Sequence, residues 1–245
     1  ESYKQYTDDA ADSAQKYFDL LAQKFDDIQS KWDSRIGYQE NRKNAVSDAL
    51  NLAQSKGKLI GSAYYTKQKG INDKEINKYK QEETELKKAM KGVKKYSEQW
   101  YQYKVDLSEV HSKYVQLQAD NAELQRSINE LKFDRFDELI NKFNDISDEA
   151  NFLIDMLDSD NLFNSDNGSI TNDGITAMGL TAQNYDVYLA QAEEYKKSIA
   201  DLEQMYKNGE ISLTQYNSQM REYQQGMRNS IKSANDAKKA VIDYV

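Results

Sequence analysis

The sequence contains no proline and no cysteine in 245 residues, and it contains only ten glycines. Proline ends helices because it has no N–H and clashes with the preceding turn, so a chain without it can form unbroken helices of unusual length. The lack of cysteine excludes a disulfide framework and any cysteine-ligated metal. The single histidine, His111, excludes His-pair metal sites and nucleophiles activated by a neighbouring histidine.

The net charge of the chain bears on which binding partners are expected. Charged residues make up 30% of the chain and the formal net charge is −8, which argues against nucleic acid as a ligand. The lysine-rich stretch 87–95 has glutamates close by, so we interpret it as a solvated helix face. No run approaches the roughly 18 apolar residues of a membrane helix, and no signal peptide is visible. Because the first residue is Glu1 rather than methionine, we expect a fragment of a larger protein.

Apolar residues recur at alternating spacings of three and four over most of the chain. This spacing is typical of coiled-coil helices, each of which buries one narrow stripe. The longest stripe is Tyr96, Trp100, Tyr103, Leu107, Val110, Tyr114, Leu117, Asn121, Leu124, Ile128 and Leu131, resuming after a skip as Phe136, Leu139, Phe143, Ile146, Ala150, Leu153 and Leu157. Shorter stripes include Ala14, Phe18, Leu21, Phe25, Ile28 and Trp32; Ile76, Tyr79, Leu86, Met90 and Val93; Tyr185, Tyr188, Ala192, Tyr195, Ile199, Leu202 and Tyr206; and Leu213, Tyr216, Met220, Tyr223, Met227 and Ala234.

These stripes predict an all-α fold of long antiparallel coiled-coil helices with a C-terminal helical hairpin. Residues 1–158 are expected to form long helices with turns near 57–72 and 92–96. Residues 159–181, rich in Asn, Asp and Gly, predict an ordered loop. Residues 182–245 predict the hairpin, with its turn at 208–211, because helices joined by so short a turn must lie antiparallel.

Two capping boxes mark predicted helix starts. Asn72 with Glu75 three residues later predicts the start of the second helix, and Ser212 with Gln215 predicts the start of the last one. In each pair the first side chain accepts a hydrogen bond from a free N–H of the first turn.

Asn121 stands at a stripe position and is the candidate for fixing coiled-coil register. A lone buried asparagine can do so because mispairing leaves its amide without partners. The alternative is a polar residue on a loosely packed stripe.

The segment from Asn164 to Ile170 resembles the middle of a calcium loop, with Gly168 at the sharp turn. The remaining positions do not fit, since Phe163 would be the first ligand and Gly174 the last. A plain Asn/Asp/Gly turn accounts for the segment better, and we expect no metal and no other cofactor.

Three stretches together resemble the tail tape measure proteins of long-tailed bacteriophages and prophages of Gram-positive hosts. They are residues 62–65, residues 97–155 in part, and residues 172–192, and the likeness covers roughly residues 60–245. The third stretch is the most specific of the three. Its characteristic residues are Asn172, Asp173, Gly174, Gly179, Tyr185 and Tyr188.

The resemblance implies a non-enzymatic virion protein inside the tail tube, which sets tail length and leaves ahead of the DNA. Tail tube, baseplate and chaperone proteins would be its partners, besides pairing with itself, and no small-molecule substrate is expected. Glycine-marked reversals around 57–61 and at 208–209 would fold the segment back. Our hypothesis is therefore a bundle module within the tape measure rather than the length-counting rod.

Two other functions compete with this interpretation. A cellular coiled-coil spacer or tether, located in the cytoplasm, would show the same heptads. An enzyme would need an acidic cleft formed by Asp158, Asp160, Asp166 or Asp173.

Overall fold

The structure, a computed structural model, describes residues 2–57, 61–157 and 161–244, and for residues 2–8 it describes the backbone alone. It confirms the all-α fold. The helices are α1 (Ser2–Ser55), α2 (Ser62–Met90), α3 (Glu98–Asp155), α4 (Asn172–Lys207) and α5 (Leu213–Asp243). The described ranges contain no strand, only an isolated antiparallel bridge between Phe163 and Ile170. None of the helices in these ranges is both long and apolar enough to cross a membrane.

The chain divides into two compact units, unit 1 (Glu1–Ile128) and unit 2 (Asn129–Val245). The boundary lies within α3, whereas the sequence predicts a change of architecture at 158. The difference arises because the second half of α3 packs with α4 and α5: Phe136 and Ile140 share a core with Leu202 and Tyr223.

The core of unit 1 is formed by α1, α2 and the first half of α3. Trp32, Leu86 and Tyr103, one from each helix, are at most 3% exposed. Phe25 of α1 meets Tyr103 edge to face, with ring centroids 5.0 Å apart. The other buried apolar side chains of this core are Ile36, Ile76, Tyr79, Val110 and Leu117.

The core of unit 2 is rich in aromatic rings. Phe136 of α3 lies between Tyr195 of α4, at 5.1 Å, and Tyr223 of α5, at 4.5 Å. Gly226 of α5 faces the ring of Tyr195 so closely that a Cβ atom there would lie 2.2 Å from Cζ of Tyr195. Close packing of α5 against α4 at this position therefore depends on a residue without a side chain.

The predicted starts of two helices are wrong. Helix α2 begins at Ser62, so Asn72 lies inside it, 1% exposed, and caps nothing. Helix α4 begins at Asn172, so the last ten residues of the predicted loop are helical. Both helices begin early because the preceding residue, Gly61 or Thr171, has the extended backbone of an N-cap. The Ser212 cap is confirmed, since its side chain accepts a hydrogen bond from the N–H of Gln215 at 3.1 Å.

The predicted stripes need correction near the helix ends. Ile146 and Leu153 are 40% and 42% exposed, and Ser147, one residue beyond the first of them, is buried instead. Phe18 is 51% exposed, and Tyr96 lies in the turn before α3 with φ of 68°. Residues 158–160, including Asp158, Asp160 and the start of the predicted loop, lie outside the described residues, as do residues 58–60 of the first predicted turn.

Candidate functional site

The segment before α4 forms a closed loop with its own hydrogen bonds. The backbone N–H groups of Asn164 and Thr171 donate to the carbonyls of Ser169 and Leu162, at 2.8 and 3.0 Å. The Asn164 side chain accepts from the N–H of Asp166, and Gly168 takes the positive φ of the turn. These asparagine contacts are typical of a plain Asx turn. The part of the chain that the structure describes contains no group of three or more residues arranged to hold a metal ion.

Thr171 joins this loop to α4. Its hydroxyl lies within hydrogen-bond distance of the carbonyls of Asn161 and Leu162, at 2.5 and 3.0 Å, and accepts from the N–H of Gly174, at 3.1 Å. Asp173 lies in the first turn of the helix, where a negative charge is favourable. At Gly174 the chain passes so close that an added Cβ would lie 2.2 Å from the Leu162 carbonyl oxygen. This loop–helix junction explains why glycine occupies position 174.

Replacing Gly174 with alanine should therefore detach the loop from α4. The methyl group meets a backbone carbonyl rather than a flexible side chain, and such overpacking costs about 1–3 kcal/mol. We expect limited proteolysis to cut residues 161–171 faster in Gly174→Ala. Gly179→Ala, in the same helix with nothing within 4 Å of the new methyl, is the control and should leave the cleavage rate unchanged.

A row of polar side chains joins α3 to α4 in unit 2. Asn144 accepts from Gln191 at 2.8 Å, and Asn151 accepts from Asn184 at 2.7 Å. Between them the Ser147 hydroxyl donates to the Tyr188 oxygen at 2.6 Å. We call these three pairs the polar ladder.

The polar ladder continues to α5 at one position. The buried Ser230 hydroxyl approaches the side-chain oxygen of Gln191 at 2.9 Å. Gln191 therefore contacts α3 through its nitrogen and α5 through its oxygen. Burying a polar group without a hydrogen-bond partner costs free energy, so these contacts favour one alignment of the three helices.

Of the six residues that carry the tape measure resemblance, the structure brings only some together. Gly174 lies at the loop junction and Tyr188 in the polar ladder. Asn172, Asp173 and Gly179 are exposed on α4, and Tyr185 is half-buried. Asp166 and Asp173, two of the four aspartates of the enzyme alternative, are both exposed, and that alternative stays untested.

The comparisons give no relative. No protein-family model, curated protein or solved structure matches this chain.

Asn121 is buried in unit 1, as its stripe position predicts. It is 8% exposed, and its side-chain nitrogen donates to Asp73 of α2 at 2.7 Å. Its side-chain oxygen has no hydrogen-bond partner among the described residues. The contact with Asp73 gives the candidate a definite partner helix, and the register role stays a prediction.

Sequence reasoning missed a set of carboxyl groups in the core of unit 1. Glu75, Glu82 and Asp106 are 4%, 7% and 7% exposed, and one oxygen of each has no hydrogen-bond partner within the described ranges. Burial, followed by the charge of Asp33 on α1, raises the pKa of Glu82 to about 7. Burial also raises the pKa of Glu75 and of Asp106. The only sequence signal was their place on the inner face of otherwise apolar stripes.

Unit 1 should become more stable as the pH falls from about 7 toward 5. The pKa of Glu82 is higher in the folded chain than in the unfolded chain, so folding takes up a proton and stability is lost as the pH rises. Asp106 and Glu85 also disfavour the charged form of Glu82, whereas Lys113 of α3 favours it.

Glu82→Gln removes the Glu82 contribution to this dependence and should stabilise unit 1 at pH 8 by about 1–2 kcal/mol, while leaving it nearly unchanged at pH 5. Urea unfolding followed by tryptophan fluorescence measures the change. Glu123→Gln, at an exposed position of α3, is the matched control. A wild-type midpoint that rises with pH over this range would contradict the prediction.

Proposed function

We propose that this chain is a non-enzymatic structural and assembly protein, a folded-back helical module within a phage tail tape measure protein. The observation that carries the proposal is the polar ladder. Along α3 its members advance by three and then four residues, while their partners on α4 go back by three and four. That pattern supports an antiparallel coiled coil with heptad spacing.

Contacts between α4 and α5 also follow the order expected for antiparallel helices. Tyr206 stacks on Tyr216 with centroids 4.6 Å apart, and Tyr195 lies 6.2 Å from Tyr223. Further along, Gln191 meets Ser230. Residue numbers fall on α4 as they rise on α5, which favours an antiparallel helical hairpin.

A helical segment that folds back on itself contributes less tail length per residue than an extended helix does. An extended helix spans about 1.5 Å per residue, so 245 residues would account for roughly 370 Å of tail. We expect an in-frame deletion of this segment to shorten the tail far less than that. Electron microscopy of the deletion variant measures the tail length. Shortening by about 1.5 Å per deleted residue would contradict the module hypothesis.

The virion assignment has its own test. If the protein is part of a tape measure, its peptides are found by mass spectrometry in purified tails, in the tail lumen with tube and baseplate proteins. The reading frame should then extend to many hundreds of codons beside genes for those proteins. A frame without tail genes nearby, with peptides only in the cytoplasm, would favour the cellular spacer or tether.

A further inference from the structure

The first part of α1 presents an apolar stripe with no helix against it. Every described residue from Asp9 to Leu20 is exposed. Ala14 and Phe18 are spaced by four and three residues from Leu21 and Phe25, which begin the core-facing side of α1. The core stripe of unit 1 therefore continues about two turns beyond the point where α2 and α3 cover it.

The point where this cover ends is defined by one contact. The Tyr17 hydroxyl donates to the carbonyl of Gly92, in the turn that joins α2 to α3, at 3.2 Å. Beside it lies a groove of about 620 Å³, whose apolar lining comes from Leu21 and Ile28 of α1, Ala89 of α2 and Tyr103 of α3, among others. The groove thus adjoins the exposed stripe.

Charge indicates what covers this surface. Residues 9–27 contain five aspartates and two lysines, whereas residues 87–95 contain five lysines and no acidic residue. None of the ion pairs within the described ranges joins these two segments. An acidic helix with an apolar stripe and a basic turn beside an apolar groove complement each other, and both belong to this chain. In a two-fold symmetric dimer the acidic helix of each copy can contact the basic turn of the other copy, because an isologous interface contains every contact twice.

We propose that two copies of this chain associate through α1. Residues 9–21 of the two copies pack antiparallel, so that the Ala14 and Phe18 side chains of each copy are covered by the same stripe of the other copy. The aspartates of each α1 then face the lysines of the other copy's 87–95 turn. The association extends the core stripe of unit 1 across the two-fold axis, and it is independent of the proposed phage function.

Sedimentation velocity over roughly 1–100 μM chain tests the association. We expect dimers whose dissociation constant rises with salt, because exposed charges are screened. Phe18→Asp should weaken the dimer roughly tenfold or more. Leu20→Asp is the matched control: Leu20 is more exposed, at 61%, but two residues along a helix place it on the opposite face, so the dimer should persist.

Cross-linking gives a second measurement that does not depend on a disruptive variant. The chain has no cysteine, so Ala14→Cys should form a disulfide between copies under mild oxidation, and Leu20→Cys should not. A wild-type chain that stays monomeric throughout the concentration range overturns the proposal. So does a dimer that Phe18→Asp leaves intact, or one that Leu20→Asp weakens equally.

Discussion

Replacing Gly226 with alanine is expected to destabilise unit 2 by about 1–3 kcal/mol, although alanine is the better helix former. In an exposed helix interior the same change gains about 0.5–1 kcal/mol. At Gly226 the new methyl would lie 2.2 to 2.5 Å from three atoms of the Tyr195 side chain, two of the ring and the hydroxyl oxygen. That ring packs against Phe136, with centroids 5.1 Å apart, and lies 6.2 Å from Tyr223, so it cannot move aside without disturbing the core.

A matched substitution separates the clash from helix propensity. Gly179 lies in α4 of the same unit, with nothing within 4 Å of an added Cβ, and Gly179→Ala should be stabilising. Thermal unfolding followed by circular dichroism compares the two variants. In a Tyr195→Ala background the clash disappears, so Gly226→Ala should then cost little, giving a coupling of more than about 1 kcal/mol in a double-mutant cycle. Equal stabilisation by both glycine substitutions would show that the helices are not this closely packed.

Heptad spacing predicted helix type and most of the buried face because both depend on local sequence. From Tyr103 to Ile128 every stripe position is buried or half-buried, since the three–four alternation follows the turn of the helix. Heptad spacing does not predict burial where polar side chains occupy core positions. Ser147 and Ser230 carry no hydrophobic signal, and only their partners Tyr188 and Gln191, on another helix, make burial favourable.

The sequence also predicted the starts of two helices wrongly, for a physical reason. A capping box is a local pattern, so Asn72 predicts a helix start although its side chain lies in the interior of unit 1. Neither polar atom of that side chain has a partner among the described residues. The close approaches at Gly174 and Gly226 were invisible for the opposite reason, because each depends on a contact with another segment. At Asn121 local pattern and tertiary contact coincide, so its burial was predictable, while its register role stays a prediction.

Replacing Trp32 with alanine should have the largest effect on unit 1, about 3–5 kcal/mol, since the site cannot easily collapse around so large a cavity. Trp32 is 1% exposed and packs among buried residues of all three helices of the unit. Its indole N–H also donates to Glu85 at 3.0 Å. Lys31 and Arg35 lie 4.9 and 5.0 Å from the centre of its ring, and their charges are attracted to its face.

The two tryptophans of the chain, Trp32 and Trp100, both lie in unit 1, so fluorescence reports on unit 1 alone while circular dichroism reports on all helices. In Trp32→Ala the remaining Trp100 signal should be lost at much lower urea than in the wild type, whereas the later part of the dichroism transition, from unit 2, should not move. Trp32→Phe keeps most of the packing and loses the hydrogen bond to Glu85. Its Trp100 signal should therefore be lost at a urea concentration between those of the wild type and Trp32→Ala. If both parts of the transition shifted together, the two units would unfold as one, and a polar core in unit 1 would limit the stability of the whole chain.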